Sequence, residues 1–309
     1  MAHEPLVSII IPTKNAGRGF RRSLEAVHGA LAPFGFEVII VDSGSADDTL
    51  ETASAFRANV IEIHPLSFSH GRARNIGAKS AKGSILVFMT QDAVPAHTRW
   101  LENLVRWFDD PAVAGVYGRQ IARKRATPLE RFFSDYVYPP QTRTKTSVDP
   151  SNVSLGDIFF SNVNSAVRKS DWEDHEFDEE LIMSEDQEWS RHMLLSGRKI
   201  VYDSGAAVFH SHRYSAADIV RRNFDSGISL KGLVNAPLAR TLKIEADYLK
   251  AGFSFFARNK NYRYLILFPV YEAARLGGFF MGFHSRYLPR RVKVFLSQHK
   301  GFWRSSGRK

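Results

Sequence analysis

Short apolar runs alternate with longer segments of helical spacing through the first half of the chain. Val7-Ser8-Ile9-Ile10-Ile11-Pro12-Thr13 reads as a buried strand closed by Pro12. A polar turn with two glycines, Lys14 to Gly19, leads into a helix from Phe20 to Ala30, with Leu24 and Val27 on one face. Glu37 to Asp42 is a second strand, which ends on a carboxylate before the turn Ser43-Gly44-Ser45. Asp47 or Asp48 is placed to cap a helix running to about Phe56. Asn59 to Ile63 forms a third strand and Gly71 to Ala81 a third helix, which Gly83 stops before the apolar run Ile85-Leu86-Val87-Phe88-Met89. Strands alternating with helices predict an α/β fold: a mostly parallel, doubly wound sheet flanked by helices, with right-handed crossovers.

The pattern loosens further on. Trp100 to Phe108 reads as a helix ended by Asp110-Pro111, and Val113 to Ile121 as a strand. Thr142 to Ser154 is rich in Thr, Ser, Asp and Pro and reads as a mobile surface loop, either solvated or ordering over a ligand. Ile158 to Val167 reads as one strand, which would put Asn162 and Asn164 on the same face. The acid-rich run Asp171 to Glu180 reads as solvated. Ser184 is expected to cap a helix to about Leu195, with Gln187 completing a capping box. Lys199 to Tyr202 and Ala206 to His212 then read as two separate strands.

Beyond Tyr214 the pattern turns helical, over Ala216 to Leu230 and Leu242 to Phe256. Tyr264 to Phe283 is long enough to cross a bilayer. Glu272, Arg275, Pro269 and three glycines within it favour a core or interfacial helix instead. We divide the chain into an α/β unit, residues 1–215, and a helical, basic unit, residues 216–309. The net charge of +10 lies wholly in the second unit, which carries +13 against −3 for the first. From Tyr287 onward, basic residues are interleaved with Leu288, Val292, Phe295, Phe302 and Trp303. That is the make-up of a surface-lying membrane anchor, or of a helix packed on the body. Such a tail on a near-neutral body points to an anionic membrane surface and away from nucleic acid, for which no reading motif is present.

Composition removes other classes. The 309 residues include no cysteine, so disulfides and zinc-thiolate sites are excluded. No basic segment followed by an apolar one opens the chain, which therefore reads without a secretory signal. No G-x-G-x-x-G or Walker loop follows the first strand, which disfavours dinucleotide oxidoreductases and P-loop NTPases.

Candidate chemistry gathers at strand ends. Asp42 ends one strand and Asp92 follows another, so both belong to the carboxyl edge, where open α/β sheets bind ligands. Asp92 either caps the next helix or offers oxygen to a hard cation, Mg2+ or Mn2+. His210 and His212 share a strand face, with spacing suited to a metal, a phosphate or a purely structural role. Asn162 and Asn164 could bind sugar hydroxyls or satisfy backbone. Glu185 and Asp186 sit in a first helical turn, where acids favour the helix dipole.

Five stretches taken together resemble the inverting family 2 glycosyltransferases, which use the Rossmann-like GT-A fold. They are Val7–Asn15, Val38–Ser45, Arg74-Asn75-Ile76-Gly77, Gln91-Asp92-Ala93 and Ser184-Glu185-Asp186, within about residues 5–215. Within that family the chain is similar to bacterial rhamnosyltransferases of surface-polysaccharide assembly. The features are Ser69 to Asn75, Thr90 to Ala93, Ser184 to Trp189, His210 to Ser215 and His299-Lys300-Gly301-Phe302-Trp303. One departure is plain: where the family usually carries Asp-x-Asp or Asp-Asp-Asp, this chain has Gln91-Asp92-Ala93.

The resemblance implies a nucleotide-sugar donor, TDP-L-rhamnose, with a UDP-hexose as the alternative, and a saccharide or lipid-linked saccharide acceptor. It implies a cytoplasmic enzyme, peripheral at the inner face of the inner membrane. Thr13 and Asp42 would hold base and ribose, and Arg74 the diphosphate. Pro12, Asn15, Ser45, His70, Asn75 and Gln91 would line the donor site with them. Asp92 would hold the metal or the donor ribose, and His212 and His210 would contact metal or diphosphate. Asp186 would be the general base, Glu185 would orient the acceptor, and Asn162, Asn164 and Trp189 would contact sugar or acceptor.

Overall fold

The computed structural model describes residues 6–303. The elements in order are β1 (Val7–Thr13), α1 (Gly19–His28), β2 (Phe36–Asp42), α2 (Thr49–Ala55), β3 (Asn59–Glu62), α3 (His70–Ser80), β4 (Ile85–Met89) and β5 (Val94–Pro95). There follow α4 (Trp100–Val105), β6 (Val113–Ile121), α5 (Pro128–Val137), β7 (Arg143–Lys145), α6 (Leu155–Ile158), β8 (Asn164–Arg168), α7 (Lys169–Asp174), α8 (Glu185–Leu195) and β9 (Lys199–Phe209). Four helices end the described chain: α9 (Ala216–Ser229), α10 (Leu238–Arg258), α11 (Tyr262–Phe283) and α12 (Arg290–Leu296).

One sheet runs β3-β2-β1-β4-β8-β6-β9-β5, with β7 on β9. Its first four strands are parallel, as the alternating pattern predicts. The other half is mixed, because β8 enters antiparallel between β4 and β6. Helices cover both faces, so the strands of the parallel half are continuous apolar runs without alternation. Val7, Ile9 and Ile11 pack on one side with Leu24, Val27 and Trp100. Ile10 points to the other side, among Ile39, Val41, Leu86 and Phe88. The register sets Thr13 opposite Asp42 at the carboxyl edge.

Several expectations are corrected. Asp92 caps no helix: the turn after β4 leads into β5, which pairs with β9. The strand expected over 158–167 begins only at Asn164, because Ser154 and Asp157 form a capping box that turns Leu155–Ile158 into a helix. The two strands expected over 199–212 are the single β9, which ends at Phe209, so His210 and His212 lie in the loop after it and not on a strand face. The polar middle of β9 survives burial because Asp203 accepts from Arg106 at 2.7 Å and Trp107 Nε1 at 2.6 Å. Ser184 makes no side-chain cap: its backbone is left-handed at φ 68°, and its hydroxyl accepts no capping bond. Residues 142–154 are held rather than mobile. β7 pairs with β9, the Val153 amide donates to Asn235, and Arg240 donates to the Asn152 carbonyl. The acid run is partly buried, with Asp171 accepting from Arg198 at 2.5 Å.

α9 and α11 cross at backbone contact. A Cβ added at Gly227, Gly278 or Gly282 would lie 2.0–2.4 Å from a carbonyl oxygen of the facing helix. α11 is the one described helix long and apolar enough to cross a membrane, and only 22% of its apolar window is buried. Its mid-helix charges turn inward: Glu272 accepts from Arg275 at 2.6 Å, and Arg275 also pairs with Glu245 of α10. Tyr262, Ile266 and Val270, spaced four apart, form an outward apolar row.

Candidate active site

At the end of β2, Asp42 is fully buried and already engaged. Its oxygens accept from Thr13 Oγ1 at 2.8 Å, the Gly44 and Ser45 amides at 2.9 and 2.8 Å, and Ser45 Oγ at 2.6 Å. Asp42 therefore fixes the turn, and it offers no exposed oxygen for a base N–H; this corrects its expected role. Asn15 and Ser45 tie neighbouring loops: Ser45 Oγ accepts the Asn15 amide and Asn15 Oδ1 the Ala46 amide. Gln91 locks onto Lys14 through both ends of its amide.

At the end of β4, Asp92 meets both histidines. His210 and His212 Nε2 each lie 3.5 Å from an Asp92 oxygen, and 2.9 Å from one another. Within this cluster the three residues each offer one ligand atom, all within 4.8 Å of one another. His210 Nδ1 donates to Gln120 Oε1 at 2.9 Å, which fixes the ring with Nε2 facing the cluster. Burial alone would raise the Asp92 carboxyl, but His210, His212 and Arg123 hold it well below the usual range. Burial, with His210 beside it, pushes His212 down to about 4. One carboxylate and two imidazoles are a competent donor set for a divalent cation.

Asp186 opens α8, half-buried, and accepts from the Asn162 amide at 3.0 Å and the Gln187 amide at 2.9 Å. The next residue after Asn162, Val163, accepts the Thr90 amide, so Asp186 lies within a few bonds of the loop that carries Asp92. Burial and the neighbouring Glu185 charge push its carboxyl up to about 7, against the pull of those amides and Arg74. Such a carboxyl is poised to accept a proton near neutrality. Glu185 instead points into the protein and pairs with Arg74 at 2.5 Å, with side chains 5% and 6% exposed. One expectation is thus corrected: Glu185 holds Arg74 instead of an acceptor, through Nη1 alone, while Arg74 still lines the cavity at this edge.

A cavity of about 520 Å³ opens at the same edge, lined by Pro12, Thr13, Lys14, His70, Arg74 and Gln91 among others. Its remaining wall is Gln298 to Phe302. Burial beside Arg74 and Arg222 pushes His70 down to about 3, so it is neutral there. A second concavity, near His28 and Phe36, lies at the opposite end of β2.

Four residues expected to contact ligand are engaged inside the protein. Asn75 spends its amide on Trp172, Phe177 and Glu179. Trp189 is fully buried against Phe160 and Phe177. Asn164 lies in the sheet core and donates to the Ala206 carbonyl at 2.7 Å. Asn162 is buried too, and its side-chain oxygen accepts from Ser165 at 2.8 Å. Sequence reasoning missed Gln120, Arg123, Arg222 and the 298–302 wall. Nothing local marks them, except that His299 to Trp303 stood out as a motif without a role.

Residues 8–174 match the family described as glycosyl transferase family 2. The chain is 31% identical over 305 residues to the O-antigen chain rhamnosyltransferase WbaN of Salmonella anatum, spanning 97% of this chain and 96% of that one. It is 29% identical over 302 residues to the O-antigen chain rhamnosyltransferase RfbN of Salmonella typhimurium, spanning 96% of each. Among solved structures, the mannosyltransferase PcManGT from Pyrobaculum calidifontis in complex with GDP-Man and Mn2+ matches with TM-score 0.61. Its identity is 18%, over 93% of this chain and 88% of that one. TarS 1-349 of S. aureus in complex with UDP-GlcNAc matches with TM-score 0.53 at 22% identity, over 94% and 83% of the two chains. These likenesses to solved structures carry the GT-A fold alone; the full-length relatives and the matched residues carry the family. The chain is a glycosyltransferase and belongs to glycosyl transferase family 2.

Proposed function

We propose that the enzyme moves L-rhamnose from TDP-L-rhamnose to a hydroxyl of a lipid-linked saccharide, in one displacement with inversion. The observation that carries this is near-full-length similarity to two O-antigen rhamnosyltransferases, joined to a half-buried Asp186 raised to about 7, whose partner Asn162 adjoins the Val163 that pairs with Thr90. An alcohol is a weak nucleophile at neutral pH, so a carboxylate must take its proton as the new C–O bond forms. Asp186 has the pKa for that task. Negative charge grows on the departing diphosphate, and the cationic side chains at the cavity oppose it. Asp92, His210 and His212 fit a divalent cation, which when bound would neutralise phosphate charge as a Lewis acid.

Thermal stability in the presence of TDP, TDP-rhamnose, UDP and UDP-hexoses tests the donor. A ligand at 100 times its Kd adds about 2.7 kcal/mol, a melting shift of roughly 5–10 °C. A larger shift with the TDP pair is expected. A preference for UDP would replace the donor and keep the mechanism, and no shift with any nucleotide would sink the transferase reading.

Two imidazoles and one carboxylate suit Mn2+ better than Mg2+. Turnover should vanish after chelation and return more fully with Mn2+. Undiminished turnover in chelator removes the cation from the proposal.

The apolar row of α11, with exposed Leu238, Leu242 and Phe295 and the +13 charge of residues 216–309, supports attachment to an anionic lipid surface. The protein should sediment with anionic vesicles and stay in solution with neutral ones. Equal recovery in both supernatants refutes attachment.

A further inference from the structure

The cavity at the carboxyl edge is walled on one side by a segment that arrives more than two hundred residues after β1. Gln298 to Phe302 face Pro12, Lys14 and His70 across it. Asp225 of α9 is fully buried, and its Oδ2 accepts the backbone amides of Gln298 at 2.9 Å and His299 at 3.0 Å. Beyond the cavity, Arg290 donates to the Trp303 carbonyl at 2.5 Å, and Trp303 is buried. The segment is thus pinned at both ends. Between the pins, the His299 ring meets the His70 ring edge-on with centroids 5.0 Å apart, and Lys300 is exposed.

Charge gives this wall a purpose. A nucleoside diphosphate brings two phosphates that need cations. Arg74 is engaged by Glu185 and Arg123 by Asp92, so neither has its full charge to give. Among the described residues, no ion pair engages Lys300 or Arg222. Arg222 lies three residues before Asp225 on α9, over the Tyr214 ring at 5.6 Å, and that ring is 5.5 Å from the His212 ring. One helix therefore carries a guanidinium beside the Asp92–histidine cluster and the carboxylate that holds the wall.

We propose that residues 297–303 form a strap that completes the nucleoside-diphosphate site, with Lys300 binding phosphate and Asp225 as the positioning residue that holds the strap. This rests on the donor reading above. His70 and His299, kept neutral by burial, line the cavity with uncharged rings, and Lys300 supplies a point charge beside them. The polar anchor is hidden on α9, so strap and cavity keep one geometry without a ligand.

The test is calorimetric titration of the full chain with TDP, UDP and the corresponding nucleosides. Lys300 is exposed, so Lys300→Ala should melt as the wild type does. It should weaken diphosphate binding roughly 10–100-fold and leave nucleoside binding unchanged. Lys300→Arg should restore most of the affinity. Asp225→Ala should raise the donor KM and leave kcat nearly intact, a split that general loss of folded protein does not produce. Wild-type diphosphate affinity in Lys300→Ala overturns the strap's role while leaving the transferase reading standing. Failure of the wild type itself to bind any nucleoside diphosphate overturns the donor reading, and the strap's role with it.

Discussion

Asp186→Asn should lower turnover by roughly 10²–10⁴-fold, the usual worth of a general base, while donor binding survives. The same change should stabilise the protein. An unfolded aspartate titrates near its ordinary value, whereas the folded one holds its proton up to about 7. Between those values the folded state binds more protons, so this residue's contribution falls as pH rises and stays low above about 7. Asparagine never ionises and escapes that cost. Because Asp186 is half-buried, solvent trims the effect, and a gain on the order of 1 kcal/mol is expected. The melting temperature should therefore rise more at pH 8 than at pH 5, while wild-type turnover climbs through neutral pH. Wild-type turnover in Asp186→Asn, or a turnover profile flat across neutrality, would remove Asp186 from the reaction.

Arg74 and Glu185 form the most deeply buried ion pair among the described residues, and breaking it should be costly. Glu185→Leu strands a guanidinium in the interior, for a loss of about 3–5 kcal/mol. In a chain of this size that lowers the melting temperature on the order of 10 °C. Arg74→Leu together with Glu185→Leu should recover much of it, because paired removal leaves no orphaned charge. Glu185 also bears on the reaction through charge alone. Its carboxylate is one cause of the raised Asp186 pKa, so Glu185→Gln should move the acidic limb of the turnover profile to lower pH. Additive losses in the double variant would show that the two side chains are not coupled. An unmoved acidic limb would show that Glu185 does not tune Asp186.

The parallel half of the sheet was legible because each strand is buried on both faces and must be apolar throughout. Ile9 to Ile11 and Ile85 to Met89 could be little else. β9 was split in two because Asp203-Ser204-Gly205 looks like a turn, and Arg106 and Trp107, which satisfy Asp203, lie about a hundred residues earlier. Asn164 and Trp189 were misassigned for a related reason: an amide or indole suits a sugar as well as it suits a core, and only burial separates the two. The structure brings Asp92, His210 and His212 together, as the resemblance implied, and their 4.8 Å cluster follows from β5 and β9 pairing at that edge. The hold of Asp225 on Gln298 and His299 left no trace in local pattern, since its acceptor and donors lie over seventy residues apart.

The glycine contact between α9 and α11 has a mechanical meaning. Where backbones touch and no side chain intervenes, two helices cannot slide or roll past one another without a clash. If α11 attaches to lipid as proposed above, a lipid surface on its outer row would be coupled to α9, and through Asp225 to the strap of the cavity. The enzyme would work as a fixed-height tool, reaching acceptor hydroxyls at one distance from the bilayer. Saccharides grown longer or shorter than that reach would be passed over, so the crossing of two helices would act as a ruler for chain position.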